Sequence, residues 1–413
     1  MPVSSKTEAA ALHRAHRVVA DEQQRYSPRT LSLKGLNVLI VTSGHEAMDH
    51  RIYAKQACSV KKFGANVTVV GFRDGDSRGA VPVLAVARPA SRLQRFLAQP
   101  WRCLWTARRL NPDIIHFHDL EMLVTLPVAK LWWRRSKFVY DVHEDFGNLM
   151  AIRDWLPRRA KPLVRFLTNR VEKSLAWLVD AVVGVTPPLT DKFSNENKIT
   201  AYNYNPREFF ERAVKTMREP RSRAFDLVHL GTLNSRRAIF LADVIRELHR
   251  RKPGARSLVI GVSPDIEKTM KARIPEGCLL LGKTPYQEIP ALLGNAKVGL
   301  DVHPWPAPHL EVALPVKVCE YMAAGCAVVS SSMPVLDQLL DQAGANKESV
   351  SIIKSEEPDA YANAVLRMIE KIEFGADPGA ELRELASKHM VWEREAEKIA
   401  RLYLNLLGRP CAI

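Results

Sequence analysis

The run Leu314-Pro315-Val316-Lys317-Val318-Cys319-Glu320-Tyr321-Met322-Ala323-Ala324-Gly325-Cys326-Ala327-Val328-Val329-Ser330 constrains this chain more than any other stretch. It reads as a loop, a short helix, a glycine stop and a buried strand. Pro315 suits the first turn of a helix, where no backbone N–H is needed. Gly325 suits the C-terminal stop, and Ala327 to Ser330 resembles a parallel strand covered on both faces. A helix that opens at the C-terminal edge of such a sheet offers free N–H groups and the positive end of a dipole, a seat for a pyrophosphate. Glu320 lies about one turn further in, where a carboxylate can accept hydrogen bonds from ribose hydroxyls. The same pattern also fits an ordinary αβ unit with Glu320 on a solvated face, so the rest of the chain has to decide.

The strand–turn–helix rhythm recurs. Leu36 to Thr42 reads as a buried strand running into a glycine turn at Gly44; a helix follows from about Arg51 to Phe63, and Asn66 to Gly71 is the next strand. This is the opening of a doubly wound α/β sheet. Strands at 113–117, 137–142, 180–185 and 198–205 extend it. Residues 207–224 are charged, show no apolar periodicity and read as a linker. A second series starts with a strand at 225–230, the turn Gly231 to Arg237 and a helix from about Ala238 to Arg250, with strands at 257–261, 278–281 and 297–302. The expected organisation is a polar arm at 1–33, an α/β domain at 34–206, the linker at 207–224, a second α/β domain at 225–390 and a closing helix at 391–413.

A chain of 413 residues has room for two or three domains, and 46% hydrophobic with 25% charged residues is a globular composition. The six cysteines show neither a C-x-x-C pair nor metal-ligand spacing, which points to a reducing compartment. Met1 to Arg25 is polar, without the apolar core of a signal peptide. The longest apolar stretch, Leu120 to Trp133, is interrupted by Glu121, Pro127 and Lys130, too early for a membrane span. The net charge of +15 is concentrated in the first half. Between Asp76 and Asp113 no acid occurs, yet Arg78, Arg88, Arg92, Arg95, Arg102, Arg108 and Arg109 do; Lys130, Arg134, Arg135 and Lys137 follow, and then Arg158, Arg159, Lys161, Arg165, Arg170 and Lys173. Over 93–110, Leu93, Phe96, Leu97, Trp101, Leu104 and Trp105 fall at helical spacing on one side, with Arg92, Arg95, Arg102 and Arg109 largely elsewhere. That pattern suits a helix seeking an anionic membrane interface, or a helix whose apolar side faces the core. No nucleic-acid module accompanies the charge, so nucleic acid is not an expected partner.

Two strand ends carry polar clusters: His116-Phe117-His118-Asp119 and Asp141-Val142-His143-Glu144. In parallel sheets such ends point into the ligand crevice. His-x-His can be half of a metal site, but no further histidine or cysteine pair supplies clear remaining ligands, so no metal is expected.

These landmarks together resemble the retaining glycosyltransferases of the GT-B fold, family four, over about residues 36 to 408. The resemblance rests on Asp49-His50-Arg51 with Gln56-Ala57 and Gly64, on the two polar strand ends, and on Val171-Glu172-Lys173 followed by Asp180 to Thr186. Gly231 with Arg237, the Pro315–Gly325 element, and Trp392-Glu393 before a last helix supply the second half. The resemblance implies two Rossmann-like domains facing a cleft, a C-terminal helix that crosses back onto the first domain, and a UDP- or GDP-sugar donor held by the second. It implies a departing diphosphate stabilised by cations and helix N-termini without a metal or other cofactor. Arg237 is the candidate for that charge, with Arg236 beside it and Lys317 assisting; Glu320 would hold the ribose, and Lys283 and Thr284 would line the base pocket. Gly231 and Gly44 would let backbone approach the phosphates. His118 would lie near the reacting sugar, with His143 and Glu144 on the acceptor side.

Two departures stand out. Family members often carry two glutamates with seven residues between them; counting back from Glu320 reaches Val312, with Glu311 one place off. The arginine that often follows the glycine of the phosphate loop is Thr232 here. The expected activity is metal-independent transfer of a hexose-type sugar, with retention, to a lipid-linked or polysaccharide acceptor in cell-envelope or exopolysaccharide synthesis. The expected location is cytoplasmic, at the inner face of the membrane. A non-catalytic sugar-nucleotide-binding assembly subunit and a nucleotide-sugar epimerase are the rivals.

Overall fold

The computed structural model describes residues 31–73, 79–151, 153, 156–305 and 308–410. Residues 1–30 of the expected polar arm lie outside these, as does Arg78 of the basic run. The described chain divides into two units, one formed by residues 31–203 with 392–410, the other by 204–391.

The first unit is built on a seven-stranded sheet: β1 (Asn37–Glu46), β2 (Asn66–Phe72), β3 (Val83–Val86), β4 (Ile114–Phe117), β5 (Lys137–Val142), β6 (Ala181–Gly184) and β7 (Lys198–Thr200). Their order is β3-β2-β1-β4-β5-β6-β7, and every neighbouring pair is parallel. Near-continuous apolar runs such as Val38 to Val41 and Val67 to Val70 suit strands covered by helices on both faces. The strand order reverses between β1 and β4. In such sheets the crevice outside the strand ends at that reversal is the ligand site. The helix Trp392–Leu406 joins this unit's core through Trp392, Ile399, Ala400 and Tyr403. Its indole Nε1 at Trp392 donates to the Lys55 carbonyl and Ser59 Oγ, at 3.2 and 2.9 Å.

The second unit carries a six-stranded parallel sheet: β8 (Phe225–Leu230), β9 (Ser257–Ile260), β10 (Cys278–Leu281), β11 (Ala296–Asp301), β12 (Ala327–Ser331) and β13 (Val350–Ile353). Its order is β10-β9-β8-β11-β12-β13, with the reversal between β8 and β11.

Three expectations need correction. Residues 207–224 are not a bare linker: Arg207–Thr216 is a helix that buries Phe209, Phe210, Ala213 and Val214 within the second unit. These four fall at helical spacing, masked by Arg207 and Glu208 before them and by Glu211 and Arg212 between them. The stretch 93–110 is two helices, Arg92–Leu97 and Gln99–Ala107. Pro100 has no N–H to donate to the carbonyl of Phe96, so the first helix cannot continue through it. The break splits the apolar side: Cys103, Leu104 and Ala107 are buried, while Leu93, Leu97, Trp101 and Trp105 stay exposed. Finally, β3 and β13, four residues each, add strands that the sequence reading does not contain.

Candidate functional site

In the second unit the candidate residues gather at the β8/β11 reversal. β8 is followed by Gly231, whose φ of +118° is a conformation open to glycine. The Asn234 side chain caps the next helix, Ser235–Arg251, by accepting from the Arg237 amide at 2.9 Å. Arg237 Nε donates to the Val302 carbonyl at 3.0 Å. Its Nη2 is buried and has no hydrogen-bond partner among the described residues. Lys317, on the helix Val316–Ala323, places Nζ 3.0 Å from Asp301 Oδ1 at the end of β11. Gly231 faces the end of that lysine: a Cβ there would sit 3.4 Å from its Cε. His303 Nε2 lies 3.3 Å from Asp301 Oδ1. Tyr321 braces the floor, donating from its hydroxyl to the Leu300 carbonyl (3.1 Å) and accepting from the Leu230 amide (2.8 Å).

Burial dominates the electrostatics of this cluster. Burial, joined by the neighbouring Arg237, pulls Lys317 below the usual lysine range, although Asp301 and Glu320 act the other way. Burial likewise lowers Arg237. Asp301 stays ionised: burial opposes its charge, but Lys317 and His303 outweigh it and hold its carboxyl well below the usual range. His229, beneath the cluster with Nδ1 donating to the Leu300 carbonyl, is kept neutral by burial and by the charges of Lys317 and Arg237. Two desolvated cations thus share one ionised carboxylate and a buried Glu320. Buried charge is stable when paired.

The remaining candidates of this unit lie around the cluster. Arg236 is exposed and stacks its guanidinium over the Trp305 ring at 3.6 Å. Glu311 is exposed and lines a cavity of about 380 Å³ together with His303, Trp305, Ser331 and Tyr361. Lys283 and Thr284 follow β10, which β9 separates from β8. The three strand ends are nonetheless close, because Gly261, at φ +95°, lets the loop after β9 pack against the Gly231 backbone.

In the first unit a second cluster forms at the β1/β4 reversal. Asp119, fully buried, accepts through Oδ2 from Thr42 Oγ1 (2.6 Å), the Ser43 amide (2.8 Å) and the Gly44 amide (3.0 Å). Its Oδ1 meets His45 Nδ1 at 2.7 Å. Burial alone would lower the His45 pKa, but the hydrogen bond and charge of Asp119, helped by Asp49 and Glu144, push it up to about 9. His45 is therefore an imidazolium at neutral pH. This revises the role expected of Gly44. Its amide is already committed to Asp119, β1 continues irregularly to Glu46, and a Cβ at 44 would overlap the Arg95 guanidinium and lie 2.7 Å from Asp119 Oδ1.

Behind this pair lies a second carboxylate. Asp141 is fully buried and receives Arg51 through Nε at 3.3 Å and Nη2 at 3.0 Å. Burial would raise its pKa; Arg51 and His118 outweigh that and hold it well below the usual range. His118 is fully buried, stacks on His116 with ring centroids 5.1 Å apart, and is kept neutral by its burial. His143 is partly exposed, edge-on to His45 at 4.8 Å, and Glu144 is exposed. The expectation that His-x-His lacks further ligands is thereby corrected. Among the described residues His45, Asp119 and His143 converge, as do His116, His118 and Asp141, with ligand atoms within 4.8 Å in each group. The fold brings these residues from three strands, which spacing along one strand cannot show. Both carboxylates are, however, already neutralised by protein donors.

Asp301, His303, His229 and Trp305 in one unit and His45 in the other lie at the candidate sites although sequence reasoning did not single them out, while Asp119, Asp141 and Arg51 were quoted with their motifs but given no role. Asp301 and Asp119 are polar residues at the C-terminal ends of parallel strands, the signal that singled out His118 and His143.

Two family models match the chain: a glycosyl transferase 4-like domain over residues 50–203 and glycosyl transferases group 1 over residues 224–371. Sucrose-phosphate synthase from Thermosynechococcus elongatus is similar in structure, with a TM-score of 0.67 at 13% identity over 90% of this chain and 99% of that one. HepE from Anabaena, solved in complex with UDP and glucose, gives a TM-score of 0.63 at 15% identity over 89% and 98%. A UDP-forming α,α-trehalose-phosphate synthase from Burkholderia xenovorans gives 0.62 at 12% identity over 90% and 99%. At such identities the likeness is one of fold. No curated protein matches the chain.

Proposed function

This chain belongs to the group 1 glycosyltransferases, and on that premise we propose that it transfers a sugar, with retention, from a nucleotide-sugar to a lipid-linked acceptor at an anionic membrane face. The observation that carries the donor half is the buried Arg237 Nη2 without an acceptor, next to the desolvated Lys317. A nucleoside diphosphate supplies the missing anion. As the glycosidic bond breaks, negative charge grows on that leaving group, and preorganised cations in a desolvated site stabilise it most at that moment. In this reading Arg237 and Lys317 take the phosphates and Glu320 the ribose, with no metal called upon. UDP is the favoured nucleotide, since HepE is solved with UDP and with UDP-glucose. Retention follows from front-face attack, in which the leaving phosphate accepts the acceptor's proton; a glycosidase-like carboxylate pair is then unnecessary.

The acceptor half rests on the surface of the first unit. No described helix is long and apolar enough to cross a membrane. Yet Trp101, Trp105, Leu131 and Trp132 are exposed, and Trp105 meets Trp132 with ring centroids 6.0 Å apart. Exposed Arg102, Arg109, Arg134 and Arg135 accompany them. Interfacial tryptophan beside arginine suits an anionic leaflet.

The test is thermal stabilisation by a panel of UDP-, GDP- and ADP-sugars, repeated with Arg237→Ala and Glu320→Ala. A ligand that binds only the folded form raises the melting point. UDP-sugars are expected to stabilise the wild type and to lose that effect in both variants. Equal stabilisation of all three proteins contradicts the donor site, and an inverted anomer in the product contradicts retention.

A further inference from the structure

We infer that a cavity within the first unit, walled by residues 92–97, 120–125, 146–151 and 161–176, seats the hydrocarbon chain of a lipid-phosphate-linked acceptor, with Arg92 and Arg95 on its phosphate. The inference rests on the glycosyltransferase reading above and assigns the acceptor's chemical class to a particular place.

The cavity measures about 690 Å³, within the range of about 300–1,000 Å³ typical of small-molecule sites. Phe96, Val124, Leu149, Leu167, Val171 and Leu175 form its apolar lining. Two of its walls bury almost nothing. The helix Arg92–Leu97 has no buried residue, and Lys161–Ala176 buries only Glu172 and Ala176. Both helices are nonetheless apolar on one side. Leu93 and Leu97 are 69% and 63% exposed on the first. On the second, Leu163, Phe166, Leu167 and Val171 are 60, 63, 49 and 48% exposed. Their spacing of three, four and eight residues from Leu163 makes one stripe. The stripe begins inside the cavity at Val171 and Leu167 and continues outside it to Leu163. Half exposed along its length, it is a surface for an apolar ligand longer than the cavity.

Charge selects among apolar ligands. Arg92, Arg95 and Arg153 line the cavity against Glu121 and Glu144. Arg95 Nε donates to Glu121 Oε1 at 2.9 Å, which orients the guanidinium over Gly44. An acceptor with a phosphate between its chain and its sugar matches this order of groups: chain along the stripe, phosphate at the arginines, sugar hydroxyl toward His45 and Glu144. An uncharged apolar segment of a partner protein brings no anion to this cation-bearing wall.

The experiment uses the full chain and a series of octyl, nonyl, decyl and dodecyl phosphates below their micelle concentrations, read by calorimetry. Each added methylene that enters an apolar seat strengthens binding roughly three- to fourfold. The expected result is that gradient in the wild type, its loss in Val171→Asp and Leu167→Asp, and binding at least tenfold weaker in Arg92→Gln. Both aspartate positions are half exposed, so the fold survives, and unchanged UDP affinity in the variants verifies it. A flat response to chain length, or full binding by the aspartate variants, overturns the inference. So does self-association that Leu167→Asp abolishes in a protein that ignores alkyl phosphates, which assigns the stripe to a second copy of the chain. If the phosphate series behaves as expected while UDP fails to bind, the donor reading falls and the lipid seat stands.

Discussion

Lys317 serves two roles that one substitution confounds and three variants separate. Its Nζ is both the partner of Asp301, at 3.0 Å, and a candidate phosphate ligand. Lys317→Met deletes a hydrogen bond to a charged group, worth about 1.5–3 kcal/mol, which is roughly 10- to 150-fold in Kd. It also leaves Asp301 buried without its main partner. Breaking a buried pair costs about 3–5 kcal/mol, and His303 Nε2, 3.3 Å away, is a contact that Asp301 keeps. Asp301→Asn removes the acid instead, so the free protein loses stability while UDP meets an unshared cation and binds as well or better. The double variant Lys317→Met/Asp301→Asn carries neither charge: stability returns toward wild type, but UDP affinity does not. Thermal melting with UDP reads both quantities. At one hundred times Kd the wild type gains about 2.7 kcal/mol; a variant weakened a hundredfold gains about 0.4 kcal/mol at the same concentration. A double variant that regains wild-type UDP stabilisation refutes the reasoning, because Lys317 would then be only a structural partner of Asp301.

Three further outcomes follow from the geometry. His45, raised to about 9 by Asp119, adds stability that is fully present below its unfolded pKa of about 6.5 and is lost as pH rises through about 9, on the order of 3 kcal/mol; denaturation midpoints across that range are expected to fall in the wild type and flatten in His45→Gln. Gly299→Ala places a methyl group into the Tyr321 ring, displacing the hydroxyl that holds Leu230 and Leu300; overpacking costs about 1–3 kcal/mol, and melting with UDP titration is expected to show lower stability and weaker nucleotide binding together. Phe209→Ala, at a position 1% exposed, is expected to cost about 3–5 kcal/mol in chemical denaturation, whereas a bare linker would leave stability unchanged.

Legibility differed between the fold and the sites for physical reasons. Buried parallel strands announce themselves as β-branched runs, which is why β1, β2, β5, β8 and β12 are visible in the sequence. In 207–216 charged residues interrupt the apolar spacing. Glu320 was singled out by a loop–helix pattern and Arg237 and Lys317 by the resemblance, and the structure brings the latter two to one strand reversal. Asp301 was not singled out, since a lone acid at a strand end has no local partner in sequence. The charge on His45 was out of reach as well: it depends on Asp119, 74 residues away. The Asp141 cluster draws in the same way on Arg51, 90 residues earlier. The glycine at 44 shows the limit of motif reasoning, because its amide serves an internal carboxylate.

The most direct test of the central claim, that the β8/β11 reversal of the second unit grips a nucleoside diphosphate, is a crystal structure of the protein soaked with UDP. The account predicts phosphate oxygens within hydrogen-bond distance of Arg237 Nη2 and Lys317 Nζ, with the ribose at Glu320. Nucleotide bound without contact to either cation, or seated only in the cavity lined by Glu311 and Tyr361, would contradict it.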